Sequence, residues 1–320
     1  MKIWKAALGA AGAAFAAAGA MEVHYASGRA RKRMELTAES LRGTTYAHFA
    51  GPVLAGARWI AEQPAQTLRV VSYDGKLLYA DFLPCMNAKG TVLLFHGYRS
   101  CAAFDFAAYA QFLHEQGYHL LLCDQRAHGR SQGRHITFGV RERYNVLSWV
   151  TYLAQMLGTE HPLYLMGVSL GATTVLLSSC FRFPANVRGV IADCGFTSPD
   201  AIFRDVVRQH CPHLPVGAAL LPMRTLAPLI GGYRLRECST LDALRAAHYP
   251  VLFLHGEEDT FVPCRMSQEA YLACRTEKRL VLVPGARHAQ SALVAPEQVQ
   301  QAVAIFLQAH LDAEKTEEQA

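Results

Sequence analysis

The sequence predicts an α/β fold, in which helices cover both faces of a mostly parallel sheet. From residue 68 onwards, short apolar runs that suit buried strands alternate with segments whose apolar residues recur at helical spacing. Of the 320 residues, 51% are hydrophobic and 18% are charged, a balance that excludes a disordered or fibrous chain. No apolar run reaches the roughly 18–20 residues that a confident membrane span needs, which excludes a polytopic membrane protein.

Eight short segments have the composition of strands. They are residues 68–72, 76–82, 91–95, 118–123, 163–167, 187–194, 251–256 and 279–285. The first two flank Asp74-Gly75, a dipeptide that is typical of a hairpin turn. Apolar residues at helical spacing predict helices over residues 106–113, 140–157, 172–180 and from about Pro296 onwards.

One long insertion interrupts this alternation. Residues 196–249 separate two predicted strands by more than a crossover helix requires. The middle of the insertion, residues 213–230, is apolar and rich in proline. We interpret it as a helical lid over the C-terminal edge of the sheet.

The chain is expected to contain one catalytic domain, over residues 34–311. An N-terminal anchor or signal segment (residues 1–33) precedes it, and a frayed tail (residues 312–320) follows it. The sequence shows no internal repeat.

The N-terminal segment has three interpretations. Residues 6–21 carry no charge and follow Lys2 and Lys5, so they resemble both a signal peptide, cleaved near Ala20 before export, and a membrane anchor. The basic run at residues 29–33 favours an uncleaved anchor and a cytoplasmic catalytic domain, because basic flanks stay on the cytoplasmic side. The third interpretation is a surface tail without a membrane role.

Charge and motif content exclude several partners. The first 33 residues contain six basic residues and one acidic residue, Glu22, whereas the rest of the chain carries 25 of each. A nucleic-acid binder should have a basic folded part, so this class is excluded. No nucleotide-binding glycine motif is present, and His210 to His213 lack the further ligands of a zinc site, so neither a cofactor nor a metal is expected. Nine scattered cysteines without a CxxC pair favour a reducing compartment.

The pentapeptide from Gly167 to Gly171 is a candidate nucleophile turn. It has the pattern G-x-S-x-G, follows an apolar strand and precedes a helix, which is the context of a nucleophile elbow. In such a turn Ser169 would stand above the sheet edge at the positive end of a helix. Ser169 is therefore the predicted nucleophile.

A serine nucleophile needs a base and an orienting carboxylate. Asp259 and His288 follow the two last predicted strands, in the chain order Ser, Asp, His that hydrolases use. Asp193, at the end of an earlier strand, is a rival acid. His128 is expected to be a structural turn residue.

Two main-chain N–H groups are the candidate oxyanion donors. One belongs to Leu170, which follows the nucleophile, and the other to Tyr98, in the loop after the strand at residues 91–95. Gly97 would let this loop approach the serine, and His96 would support the loop.

Six motifs together resemble those of the α/β-hydrolase superfamily. They are HGY at 96–98, DQRAHGRSQG at 124–133, GVSLG at 167–171, ADCGFTS at 192–198, HGEEDTFVP at 255–263 and GARHA at 285–289. More narrowly, the chain looks like the bacterial serine aminopeptidase S33-like or monoglyceride-lipase-like hydrolases, which often carry an N-terminal anchor. The resemblance implies an eight-stranded-type sheet with a helical lid. The glycine-rich motifs expected of proline iminopeptidases are absent, which disfavours aminopeptidase activity.

The expected activity is hydrolysis of carboxylic esters with lipid-like or medium-chain acyl groups. A small acyl ester and the membrane are the expected partners, and nucleic acid is not. The alternatives on the same three residues are a thioesterase, an acyltransferase or a peptidase. A membrane-tethered binding module without catalysis is a further alternative. The sequence does not indicate an oligomeric state.

Overall fold

A single eight-stranded sheet forms the centre of the protein, whose computed structural model describes residues 17, 19–30 and 36–311. The strands are β1 (Gln66–Val71), β2 (Leu77–Leu83), β3 (Gly90–Phe95), β4 (Tyr118–Cys123), β5 (Leu163–Val168), β6 (Val187–Asp193), β7 (Val251–Gly256) and β8 (Lys278–Val283). Their order in the sheet is β1-β2-β4-β3-β5-β6-β7-β8. Only β2 runs antiparallel to its neighbours, β1 and β4. The predicted mostly parallel sheet is confirmed, and each strand matches a predicted segment to within a few residues.

Helices cover both faces of this sheet. Residues 19–27 are helical and are called α1. The other helices are α2 (Ala38–Leu41), α3 (Ala50–Glu62), α4 (Ala102–Asp105), α5 (Ala110–Glu115), α6 (Glu142–Leu157), α7 (Leu170–Ser178), α8 (Pro199–His210), α9 (Val216–Ala219), α10 (Leu221–Ile230), α11 (Thr240–Arg245), α12 (Arg265–Ala273), α13 (Ser291–Val294) and α14 (Pro296–Ala309).

Two apolar cores lie on opposite faces of the sheet. Alternate residues of β3 enter different cores, since Val92 and Leu94 pack with α5 and α14, whereas Leu93 and Phe95 pack with α6 and α7. Side chains on both faces of a central strand are therefore buried, which explains why these strands are continuous apolar runs in the sequence.

The insertion between β6 and β7 is helical, as predicted, and contains α8 to α11. A third apolar cluster joins it to the rest of the protein. In this cluster Met223 and Ala227 of α10 are buried together with Leu170, the first residue of α7. The insertion therefore packs beside the nucleophile turn.

Helix α1 packs against the insertion. Gly19 lies so close to α10 that a Cβ atom there would stand 2.6 Å from Leu226 Cδ1, and Val23 is fully buried. At the end of α1, the N–H of Ile136 donates to the carbonyl of Ser27 (2.6 Å). The predicted domain boundary after residue 33 thus separates residues 19–30 from the elements that they contact.

The membrane and tail predictions fall mainly outside the described residues. Most of the proposed anchor, residues 1–16, 18 and 31–33, and the tail 312–320 lie there. Within the part that the structure describes, no helix has both the length and the apolar character needed to cross a bilayer.

Candidate active site

Ser169 occupies a strained turn between β5 and α7. Its backbone dihedrals are φ 55° and ψ −115°, in a region that residues other than glycine avoid. Its glycine neighbours are required by space, because a Cβ atom at Gly171 would lie 1.7 Å from the carbonyl oxygen of Phe95. The turn therefore has the geometry of the predicted nucleophile elbow.

A chain of hydrogen bonds joins the three predicted residues. Nε2 of His288 lies 2.9 Å from Ser169 Oγ, and Nδ1 of His288 lies 2.7 Å from Asp259 Oδ2. Because an ionised carboxylate only accepts, Nδ1 carries the proton and Nε2 accepts from the serine hydroxyl. This is the arrangement in which an imidazole can act as a base toward serine.

Asp259 is held as a carboxylate. Its Oδ1 accepts hydrogen bonds from the N–H groups of Phe261 (2.9 Å) and Val262 (2.8 Å). Burial would raise the pKa of Asp259, but hydrogen bonds from His255 and His288 outweigh this and lower the pKa to about 2. The acid is therefore charged at neutral pH and can stabilise a protonated His288.

His255 is a neighbour of this acid that the sequence analysis did not identify. Its Nε2 lies 2.9 Å from the carbonyl oxygen of Val262 and 3.3 Å from Asp259 Oδ2, and its Nδ1 lies 2.6 Å from Ser267 Oγ. His255 is fully buried at the end of β7. The sequence offers two signals for it, a polar residue inside an apolar strand and the first position of the HGEEDTFVP motif.

Tyr46 supports the loop of the base, and the sequence did not indicate this role either. Its hydroxyl donates to the carbonyl oxygen of His288 (2.8 Å), while the side chain of Gln290 donates to the carbonyl of Thr45 (2.8 Å). These bonds join parts of the chain more than 240 residues apart, so no local pattern could have predicted them.

Asp193, the rival acid, is engaged elsewhere. Its carboxylate accepts hydrogen bonds from Tyr109 Oη (2.7 Å) and Ser291 Oγ (3.0 Å), and burial raises its pKa. Among the described residues, His288 makes its carboxylate hydrogen bond with Asp259. The geometry thus favours Asp259 over Asp193 as the orienting acid.

The loop after β3 lies directly beside Ser169. A Cβ atom at Gly97 would stand 3.3 Å from the Cβ of Ser169, and the Gly97 N–H donates to Asp105 Oδ2 (2.5 Å). The next N–H belongs to Tyr98. Neither it nor that of Leu170 donates to another group within the part of the chain described. Their role as oxyanion donors stays a prediction.

Two histidines hold this loop in place through hydrogen bonds. His96 Nε2 accepts from the N–H of Gln125 (3.1 Å), and His128 Nε2 accepts from the N–H of Arg99 (2.9 Å). Burial lowers the pKa of His128 to about 3, so this ring is neutral and can accept. Both contacts agree with the structural roles that the sequence suggested.

One group of potential metal ligands lies within the described residues. It consists of Cys194, Asp259 and His288, whose ligand atoms lie within 4.8 Å of one another. Burial raises the pKa of the Cys194 thiol, which disfavours the thiolate that a metal needs. Asp259 and His288 are in addition hydrogen bonded to each other.

Comparison with known sequences identifies hydrolase relatives. The family model for serine aminopeptidase S33 matches residues 86–227. The chain is 27% identical over 210 residues to the uncharacterized protein YqkD of Bacillus subtilis, an alignment that covers 64% of this chain and 67% of YqkD. It is also 27% identical over 145 residues to caffeoylshikimate esterase of Arabidopsis thaliana, covering 44% of this chain and 42% of that enzyme.

Solved structures share the fold. An esterase of Pyrococcus furiosus superposes with a TM-score of 0.64 at 20% identity, over 79% of this chain and 94% of that chain. Est1E of Butyrivibrio proteoclasticus, solved with ferulic acid, gives a TM-score of 0.57 at 20% identity, over 76% of this chain and 98% of that chain. With this sheet and these superpositions, the chain has the α/β-hydrolase fold, and its residues 86–227 are similar to the serine aminopeptidase S33 family.

Proposed function

We propose that the protein is a serine hydrolase that cleaves carboxylic esters through an acyl-enzyme on Ser169. The observation that carries this proposal is the continuous chain of hydrogen bonds from Ser169 through His288 to Asp259. His288 would take the proton of Ser169 as Oγ attacks the ester carbonyl, and would return it to the leaving alcohol. Water then attacks the acyl-enzyme by the same route and releases the acid.

The tetrahedral intermediate would be stabilised by main-chain donors. The N–H groups of Tyr98 and Leu170 are the candidates, because the Tyr98 loop adjoins Ser169 and Leu170 opens α7. The positive end of α7 adds to this stabilisation. Gly97 is not available as a donor, since its N–H is bound to Asp105.

The side chains of the insertion that pack beside the serine are apolar. Phe196 and Met223 share a buried apolar cluster with Leu170, the residue after the nucleophile, so an opening of the insertion would present apolar side chains to an acyl group. We therefore propose that α8 to α11 act as a lid for lipid-like or medium-chain esters. The esterase names of several relatives agree with ester chemistry.

The test is hydrolysis of p-nitrophenyl esters, from acetate to dodecanoate, by the full chain. Ser169→Ala should lower kcat at least about 10³-fold. Ser148→Ala removes a hydroxyl on α6 that donates to the carbonyl of Tyr144, and should leave kcat unchanged. Equal activity of Ser169→Ala and wild type would refute the proposed nucleophile.

The same assay separates the alternative reactions. Acyl thioesters, p-nitroanilides and transfer to added alcohols are measured in parallel with the esters. Higher kcat/KM on a thioester or an anilide would replace the ester assignment and keep Ser169 as the nucleophile. A profile that does not change with acyl length would contradict the apolar acyl site.

A further inference from the structure

A basic groove lies beside helix α1, and Ser169 is not among its lining residues. Its volume is about 810 Å³, and its lining includes His24, Tyr25, Arg29, Arg99 and Arg134. A second groove, of about 760 Å³, shares Arg29 and Arg134 with the first and is also lined by Leu229 and Ile230 at the end of α10. The two grooves are therefore parts of one surface, which we call the α1–α10 surface.

Three arginines of this surface, Arg29, Arg99 and Arg134, are not neutralised. The Arg29 guanidinium donates to the carbonyls of Gly129, Ser131 and Gly133, and that of Arg99 donates to the carbonyl of Tyr25. Within residues 19–30 and 36–311, neither these two arginines nor Arg134 forms an ion pair with a carboxylate. Their positive charges remain available to an anionic partner.

The nearby acids are already engaged. Glu22, the only acidic residue of α1, has its carboxylate directed at the N–H of Met223, in the first turn of α10. Asp74, in the second groove, forms an ion pair with Arg126 (2.6 Å). Neither carboxylate compensates the three arginines.

Exposed apolar side chains accompany these charges. Met21 is 66% exposed, Tyr25 is 78% exposed and Leu229 is 79% exposed. Gly19 and Val23 of α1 are buried against α10 and its cluster, so Met21 and Tyr25 point outward. Apolar side chains next to basic groups are the composition of an interfacial membrane-binding face.

The sequence on either side of α1 indicates which kind of partner would bind this surface. The uncharged run of residues 6–21 includes the start of α1, and Arg31, Lys32 and Arg33 follow shortly after its end. Apolar and basic flanks of this kind suit acyl chains and anionic headgroups, respectively. We propose that the α1–α10 surface docks on a bilayer that contains anionic phospholipid. Docking of this folded surface is distinct from insertion of an N-terminal anchor and does not depend on the reaction at Ser169.

The test measures binding of the full chain to vesicles. The protein carries Ser169→Ala to prevent lipid hydrolysis, and the vesicles contain phosphatidylcholine alone or with about one third phosphatidylglycerol. We expect binding to rise with phosphatidylglycerol and to fall as salt increases from about 0.05 to about 0.5 M. Adding Arg134→Glu or Leu229→Asp should weaken this binding at least about fivefold.

Matched controls make the same two substitutions, Arg to Glu and Leu to Asp, at exposed positions outside the α1–α10 surface. Arg279→Glu reverses an exposed charge on β8, and Leu272→Asp replaces a leucine on α12 that is 78% exposed. Both controls should bind as the parent does. Circular dichroism and thermal unfolding establish that each variant is folded.

Three outcomes would overturn the proposal. The first is equal binding to both vesicle types, unchanged by either Arg134→Glu or Leu229→Asp. This result would assign attachment to the uncharged N-terminal run alone. Self-association without vesicles, lost in Leu229→Asp, would assign the surface to a second copy of the chain. Stabilisation by inorganic phosphate, with no vesicle binding, would assign the arginines to a soluble anion.

Discussion

At the scale of single residues, the choice between two buried aspartates decides the chemistry. Asp193 is the last residue of β6, Asp259 lies three residues after the end of β7, and both are buried. Their partners differ, since Asp193 accepts from two hydroxyl groups whereas Asp259 accepts from two main-chain N–H groups and His288. Of the two carboxylates, that of Asp259 is the one with an oxygen directed at an imidazole N–H, that of His288.

This difference predicts unequal effects of the same substitution. Asp259→Asn removes the negative charge that holds the tautomer of His288, and should lower kcat on a p-nitrophenyl ester about 10³- to 10⁴-fold. Asp193→Asn should lower the thermal midpoint but leave kcat of the folded protein within about tenfold. Steady-state kinetics of both folded variants test this, and a larger kcat loss in Asp193→Asn would reverse the assignment of the acid.

At the scale of elements, helix α1 behaves as part of the catalytic unit. It packs on α10 through Gly19 and Val23, and the carbonyl of Ala26 accepts a hydrogen bond from Tyr98 Oη (2.6 Å). Tyr98 is also the candidate oxyanion residue. The helix therefore joins the insertion to the loop that would bind the oxyanion.

Truncation should expose this role of α1. A chain that begins at residue 34 loses the contacts of α1, and its thermal midpoint should fall by roughly 5 °C or more. Its kcat should fall as well, because Tyr98 loses its support. A chain that begins at residue 17 keeps α1 and is the control. Equal midpoints and equal kcat for the two chains would show that α1 is dispensable.

At the scale of the whole molecule, buried histidine links stability to pH. Burial lowers the pKa of His128 from 6.5 to about 3, so the unfolded chain binds this proton at a higher pH than the folded chain. The stability that this group contributes is therefore complete above about pH 6.5 and is lost as pH falls toward 3. By pH 5 the loss from this group should reach about 2 kcal/mol.

His128→Gln should remove this dependence. Glutamine offers an amide oxygen to the N–H of Arg99 and does not titrate. The unfolding free energy of the variant should therefore fall less steeply than that of the wild type between pH 7 and pH 5. Urea unfolding at several pH values measures the slope. His48→Gln, at an exposed position, is the control and should keep the wild-type slope. A slope unchanged in His128→Gln would assign the acid sensitivity to other groups.

The sequence predicted the sheet because burial on both faces leaves a strong local signal. Helix α3 leaves a weaker signal in the sequence, and Gly56 shows why. A Cβ atom at Gly56 would lie 2.0 Å from the carbonyl oxygen of Ala107, so the close packing of α3 requires glycine, a residue that disfavours helix. Ser169, Asp259 and His288 could be proposed from their order after successive strands. Tyr46, whose partner lies far along the chain, could not.

The contact between α1 and α10 also imposes an order on synthesis. Gly19 leaves the ribosome long before Pro222 and Leu226, against which it finally packs, and about 200 residues separate them. At a synthesis rate of roughly 5–20 residues per second, about 10–40 s pass between the synthesis of α1 and that of α10. During that interval its apolar face is open to any factor that binds nascent chains. Binding of such a factor would thus compete with completion of the fold.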